Sequence, residues 1–79
     1  MSTEQTPLET AVLQAIRAEL AAQGITQAQL AEKVGVGREA MSRYINGRTA
    51  IPFPVVIDVS KALGLGQSGL IVVAERRLE

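Results

Sequence analysis

Residues 26–48 read Thr-Gln-Ala-Gln-Leu-Ala-Glu-Lys-Val-Gly-Val-Gly-Arg-Glu-Ala-Met-Ser-Arg-Tyr-Ile-Asn-Gly-Arg, and this stretch decides the fold. Thr26 followed three residues later by Gln29 is a capping box, the signature of a helix start. Leu30, Ala31 and Val34 then form the inward face of a short helix. Gly35 ends it and Val36 follows. A second short helix runs from about Arg38 to Asn46 and stops at Gly47. Two helices this short, joined only by Gly35-Val36-Gly37, must cross steeply. The small Ala31, four residues before Gly35, suits that close crossing because a larger side chain would hold the helices apart.

At about 100° per residue, Met41, Tyr44 and Ile45 share the inward side of the second helix. Ser42, Asn46, Glu39 and Arg43 make a contiguous polar arc on the other side, and Arg38 stands at the helix start. A steep pair of helices with a polar outer face on the second is the geometry of a helix-turn-helix, which lays that helix in the DNA major groove with its N-terminal residues toward base edges. The outward residue types fit: Arg pairs with guanine, Glu accepts from cytosine, and Ser and Asn reach bases or phosphates.

Working outward, Thr6-Pro7-Leu8-Glu9 opens an earlier helix, with Thr as N-cap, Pro at N1 and Glu at N3. Leu13, Ile16 and Leu20 are its apolar face, and Gly24-Ile25 closes it. A fourth helix starts near Pro54, buries Val56, Val59 and Leu63, and ends at Gly64-Leu65. Gly24-Ile25, Gly35-Val36 and Gly64-Leu65 each place glycine at C′ and an apolar residue at C″, the Schellman pattern. The last stretch, Ser68 to Glu79, holds the β-branched run Leu70-Ile71-Val72-Val73. A lone strand would have no partner within the chain, whereas Ala74-Glu75-Arg76-Arg77-Leu78 favours a helix with its cations at the C-terminal end. The expectation is an all-α, compact four- to five-helix bundle forming a single domain, with a core over about 7–66 and a C-terminal helix over about 68–78.

Length and composition agree. Seventy-nine residues allow one domain, and 47% hydrophobic residues suffice for a small core. The absence of cysteine and histidine removes thiolate nucleophiles, the commonest general base and the usual metal ligands, so neither an enzyme nor a metal or cofactor site is expected. No apolar run is long enough to span a bilayer. The polar opening, Met1 to Thr6, lacks the basic and apolar regions of a signal peptide, so a cytoplasmic protein is expected. As a total, the net charge of zero opposes binding to nucleic acid, but its distribution does not. Residues 1–32 hold Arg17 against Glu4, Glu9, Glu19 and Glu32, a balance of −3; residues 33–48 hold Lys33, Arg38, Arg43 and Arg48 against Glu39, a balance of +3. Residues 49–79 balance at zero, so the chain is a dipole whose positive end includes the second helix of the pair.

The pattern Ile25-Thr26-Gln27, Leu30-Ala31, Gly35-Val36-Gly37, then Met41-Ser42-Arg43-Tyr44-Ile45-Asn46-Gly47-Arg48 resembles the Cro/phage-repressor-like helix-turn-helix family, also called the XRE family, and Lys61-Ala62-Leu63-Gly64-Leu65 is similar to that family's helix-four ending. The resemblance covers roughly residues 8 to 66. It implies a lambda-repressor-like bundle and double-stranded DNA as partner, with no small-molecule effector expected. It implies that Arg38, Glu39, Ser42 and Arg43 read bases, and that Gln27, Gly37, Asn46 and Arg48 lie at phosphates. The family usually has Ser where this chain has Gly37. A small Cro-like repressor that covers promoter DNA, reading a pseudo-palindromic operator as a homodimer, is the expected function. The alternatives are an antitoxin-like DNA-binding protein and a protein-interaction module.

Blander roles compete at several positions. Glu39 suits pairing with Arg43 at i+4 as well as base reading. Tyr44 is expected mainly in the core. The run Leu70-Ile71-Val72-Val73 is too broad for one face of a small bundle, so part of it should stay exposed as a dimer or heteromeric interface.

Overall fold

A computed structural model describes residues 6–79, and the polar opening Met1 to Gln5, read above for the absence of a signal peptide, lies outside the described residues. Five helices follow one another: α1 Pro7–Gln23, α2 Gln27–Val34, α3 Arg38–Ile45, α4 Phe53–Ala62 and α5 Gly69–Arg77. No strand occurs among the described residues, and none of their helices is long and apolar enough to cross a membrane.

Both expected capping boxes form. Thr6 Oγ1 accepts from Glu9 N at 3.1 Å while Glu9 Oε1 accepts from Thr6 N at 2.8 Å; Thr26 and Gln29 make the same exchange at 3.0 and 2.9 Å. Each box satisfies two amides that a helix start leaves without intrahelical partners. The glycine closures also form: Ile25 N donates to Leu20 O, Val36 N to Ala31 O and Leu65 N to Ser60 O, all within 2.9–3.0 Å. Helix α4 begins one residue earlier than expected. Pro52 is its N-cap, and the Pro52 carbonyl accepts from both Val55 N and Val56 N, so Pro54, which has no N–H, sits in the first turn without cost.

Ala15, Ile16, Leu30, Met41, Ile45, Val59 and Leu70 bury their surfaces almost completely in one shared core, to which all five helices contribute. Helix α1 packs chiefly on α5, α2 bridges α3 and α4, and α3 leans on α1. One residue of the expected inward set departs. Tyr44 is only half-buried and outside the core cluster, because it lies about 80° round the helix from the midline between Met41 and Ile45.

The C-terminal run divides as a helix divides it. Leu70 and Ala74 are fully buried, Ile71 and Val73 flank them half-buried, and Val72 faces outward, 41% exposed. Leu70 therefore has no surface to offer a second chain, which corrects its place among the interface candidates. It is seated by Ser60, a buried hydroxyl that accepts from Leu70 N at 3.0 Å and donates to the Gly66 carbonyl. That clamp ties the start of α5 to the last turn of α4.

Candidate nucleic-acid interface

Helices α2 and α3 meet across Gly35-Val36-Gly37. Gly35 has φ +82°, the left-handed conformation, and its N–H and that of Val36 both donate to the Ala31 carbonyl, at 2.9 and 3.0 Å. Only glycine adopts this turn without strain. It reverses the chain in three residues while Ala31 stays 1% exposed beneath it, so α3 is presented as a short, firmly backed rod.

The outer face of that rod carries Arg38, Glu39, Arg43 and Asn46, all exposed, with Ser42 half-buried among them. Gln27, half-buried, opens α2, and the exposed Arg48 follows α3. The side chains of Gln27, Arg38, Glu39, Arg43 and Arg48 make no hydrogen bond or ion pair among the described residues. The i+4 pair of Glu39 with Arg43 is thus not formed, and three guanidinium groups stand ready for an external anion. With no side-chain competitor, each arginine keeps its five-donor fork free.

The two ends of α3 are built differently. At its start Gly37 is the N-cap, with φ −62° and ψ 149°, and supplies no side-chain acceptor. The amides of Arg38, Glu39 and Ala40 are left without partners among the described residues, and the positive end of the helix dipole lies with them. At its far end every orphan carbonyl is satisfied. Ser42 O accepts from Asn46 N at 2.9 Å, Arg43 O from Arg48 N at 2.9 Å, and Tyr44 O from Gly47 N at 3.0 Å. Gly47 has φ +75°, a fourth glycine closure, but with Arg48 rather than an apolar residue at the next position. Here the residue after the closure is an exposed cation instead of an apolar side chain packed back on the helix.

The fourth carbonyl, on Ile45, is taken by a residue that reading the sequence passed over. Arg17 of α1 donates from Nη2 to Ile45 O at 2.9 Å and to Asn46 Oδ1 at 3.3 Å, and Asn46 Nδ2 donates to Ser42 Oγ at 3.2 Å. A cation at the C-terminal end of a helix also complements its dipole. The only trace of this in the sequence is that Arg17 directly follows Ile16, at the border of the apolar stripe of α1.

Among the described residues no group of acidic side chains, the only metal-ligating type in this cysteine- and histidine-free chain, is arranged to hold a metal ion. What the structure does present is a supported helix with unpaired donors at its start and along its outer face. Against known families, a model described as Helix-turn-helix matches residues 16–66, well over half of the chain. No curated protein and no solved structure matches it.

Proposed function

Since the chain belongs to the Helix-turn-helix family of XRE/lambda-repressor type, a family of DNA-binding regulators, we propose that it is a small Cro-like repressor that acts by occupying operator DNA and excluding polymerase from the promoter. Helix α3 enters the major groove. Arg38, Glu39, Ser42 and Arg43 read base edges, and Gln27, the bare amide start at Gly37, Asn46 and Arg48 hold the backbone on either side. The observation that carries this reading is the state of α3: Met41 and Ile45 fully buried behind it, and unpartnered guanidinium groups on Arg38, Arg43 and Arg48 in front.

The cytoplasm is where such DNA is met, and neither effector nor cofactor enters the scheme. The operator is pseudo-palindromic and is bound by a homodimer, with half-sites about 10 bp apart. The surface for the second copy is α5, where Ile71, Val72 and, at the helix border, Val73 remain available beside Leu78, which is 51% exposed. Selection of bound sites from random duplex DNA tests the whole reading. A repeated half-site in inverted orientation is expected, together with affinity that falls steeply as salt rises. Recovery of no sequence preference, or salt-independent binding, would refute it. Ile71→Glu or Val72→Glu should lower the sedimenting mass. Capture of a different protein by this face with the mass of the free chain unaltered would favour the antitoxin-like alternative.

A further inference from the structure

The contacts of Arg17 fix more than the end of a helix. A guanidinium carries donors and no acceptor, so the Asn46 atom facing it must be the oxygen. Turning the amide over would set N–H against N–H. The Asn46 nitrogen is thereby committed to the side of Ser42, where it donates to Oγ at 3.2 Å. A serine hydroxyl facing an N–H must offer a lone pair in that direction, so its own proton points elsewhere. Ser42 Oγ donates to no group among the described residues. Ser42 also lies one helical turn after Arg38, on the same face of α3.

We propose that Arg17 and Asn46 are positioning residues that hold Ser42 as a hydrogen-bond donor toward the DNA. Accepting from Asn46 leaves the Ser42 proton free and polarises it toward donation, so the base beneath Ser42 is read preferentially as an acceptor. Guanine offers N7 and O6, adenine N7 and thymine O4, whereas cytosine presents only an N–H donor in the major groove, meets only the hydroxyl's second lone pair and is disfavoured. The relay rests on the reading that α3 lies in that groove, and it adds a polarity to one contact that the residue type leaves open, since a free hydroxyl both donates and accepts.

Replacing Asn46 by Asp inverts the relay. A carboxylate still satisfies Arg17 but has no proton, so Ser42 must donate to it and turn a lone pair outward. The experiment is selection of sites from random duplex DNA with the wild-type chain and with Ser42→Ala, Asn46→Asp, the double variant and Arg17→Gln, each first checked for helical content and melting temperature. Ser42→Ala identifies the position it reads by loss of preference there. At that position the wild type should disfavour cytosine by about three- to tenfold, the range of one net hydrogen bond. Asn46→Asp should remove or reverse this, but only when Ser42 is present. Arg17→Gln, whose amide turns either way, should blunt it without moving the other positions, and it reports on the relay even if Asn46→Asp fails to fold.

Loss of overall affinity or melting temperature with the base preference unchanged in both variants would show a merely structural clamp and overturn the relay, leaving the DNA reading intact. So would a Ser42→Ala variant that loses no preference anywhere. If the wild type itself selects no sequence, the DNA reading falls and the relay with it.

Discussion

Helices α2 and α3 are each eight residues long, yet the molecule treats them in opposite ways. Both bury one face completely, through Leu30 and Ala31 in the first and Met41 and Ile45 in the second. Helix α2 has its start closed by the Thr26–Gln29 exchange and its back pressed on α4 as well as α3. Helix α3 starts at a glycine with no capping side chain, and its fixings are at the other end, where Gly47 and Arg17 complete the carbonyls. One helix is finished as a structural member. The other is anchored from behind and below and left open where an anion would meet it. A start without a capping side chain is not peculiar to α3, since α4 and α5 lack one too; what sets α3 apart from α2 is that its bare start adjoins the exposed, unpartnered side chains of Arg38 and Glu39.

The buried anchors should be equal while the exposed ends are not. Leu30→Ala and Met41→Ala should each lower unfolding free energy by about 2–5 kcal/mol, since each empties a site closed to solvent. Chemical denaturation measures this, and a cost below 1 kcal/mol for Met41→Ala alone would show α3 to be loosely held. Next in size, Arg38→Ala should cost roughly 1–3 kcal/mol of specific binding and relax one base position, whereas Gln27→Ala should weaken all sequences alike. Competition titrations with specific and random duplexes separate the two, and equal losses for both variants would erase the division between reader and brace.

At the helix starts the effects are smaller. Thr26→Ala should destabilise by about 1 kcal/mol through loss of the box on α2. Gly37→Ser should stabilise by only a few tenths of a kcal/mol, because glycine is already a tolerable N-cap. Thermal melts read both. A gain from Gly37→Ser as large as the loss from Thr26→Ala would mean that the two starts were never different in kind.

Much of the architecture was legible because it depends on local rules. Thr6 with Glu9 and Thr26 with Gln29 mark starts, glycine followed by an apolar residue marks ends, and all of these formed. Where the sequence misled, competition between elements was responsible. Leu70 reads as one member of a four-residue apolar run, but the choice of which face of α5 turns inward belongs to α1 and to the Ser60 clamp. Tyr44 fell on the inward half of a wheel, and the narrow contact of α3 with its neighbours left it on the flank. Gly47 reads as the stop of α3 and proves to be one, but followed by Arg48 it lacks the apolar residue that marks the other closures, so the sequence showed the stop and not its closure geometry. The candidate site was legible as a list of residue types on one arc of α3, with no indication of which were free and which were already engaged.

That last division separates what the two levels determine. The sequence by itself determined the helices, the turn at Gly35, the burial of Met41 and Ile45 and the clustering of positive charge on residues 33–48, because periodicity, capping chemistry and charge are properties of neighbours along the chain. The tertiary structure alone decided that Arg17, separated from Ile45 by most of two helices and two turns, would finish α3 and orient the Asn46 amide so that its nitrogen donates to Ser42 Oγ. A hydrogen bond requires its donor and acceptor within about 3 Å, and only the packing of α1 against α3 brings these residues that close.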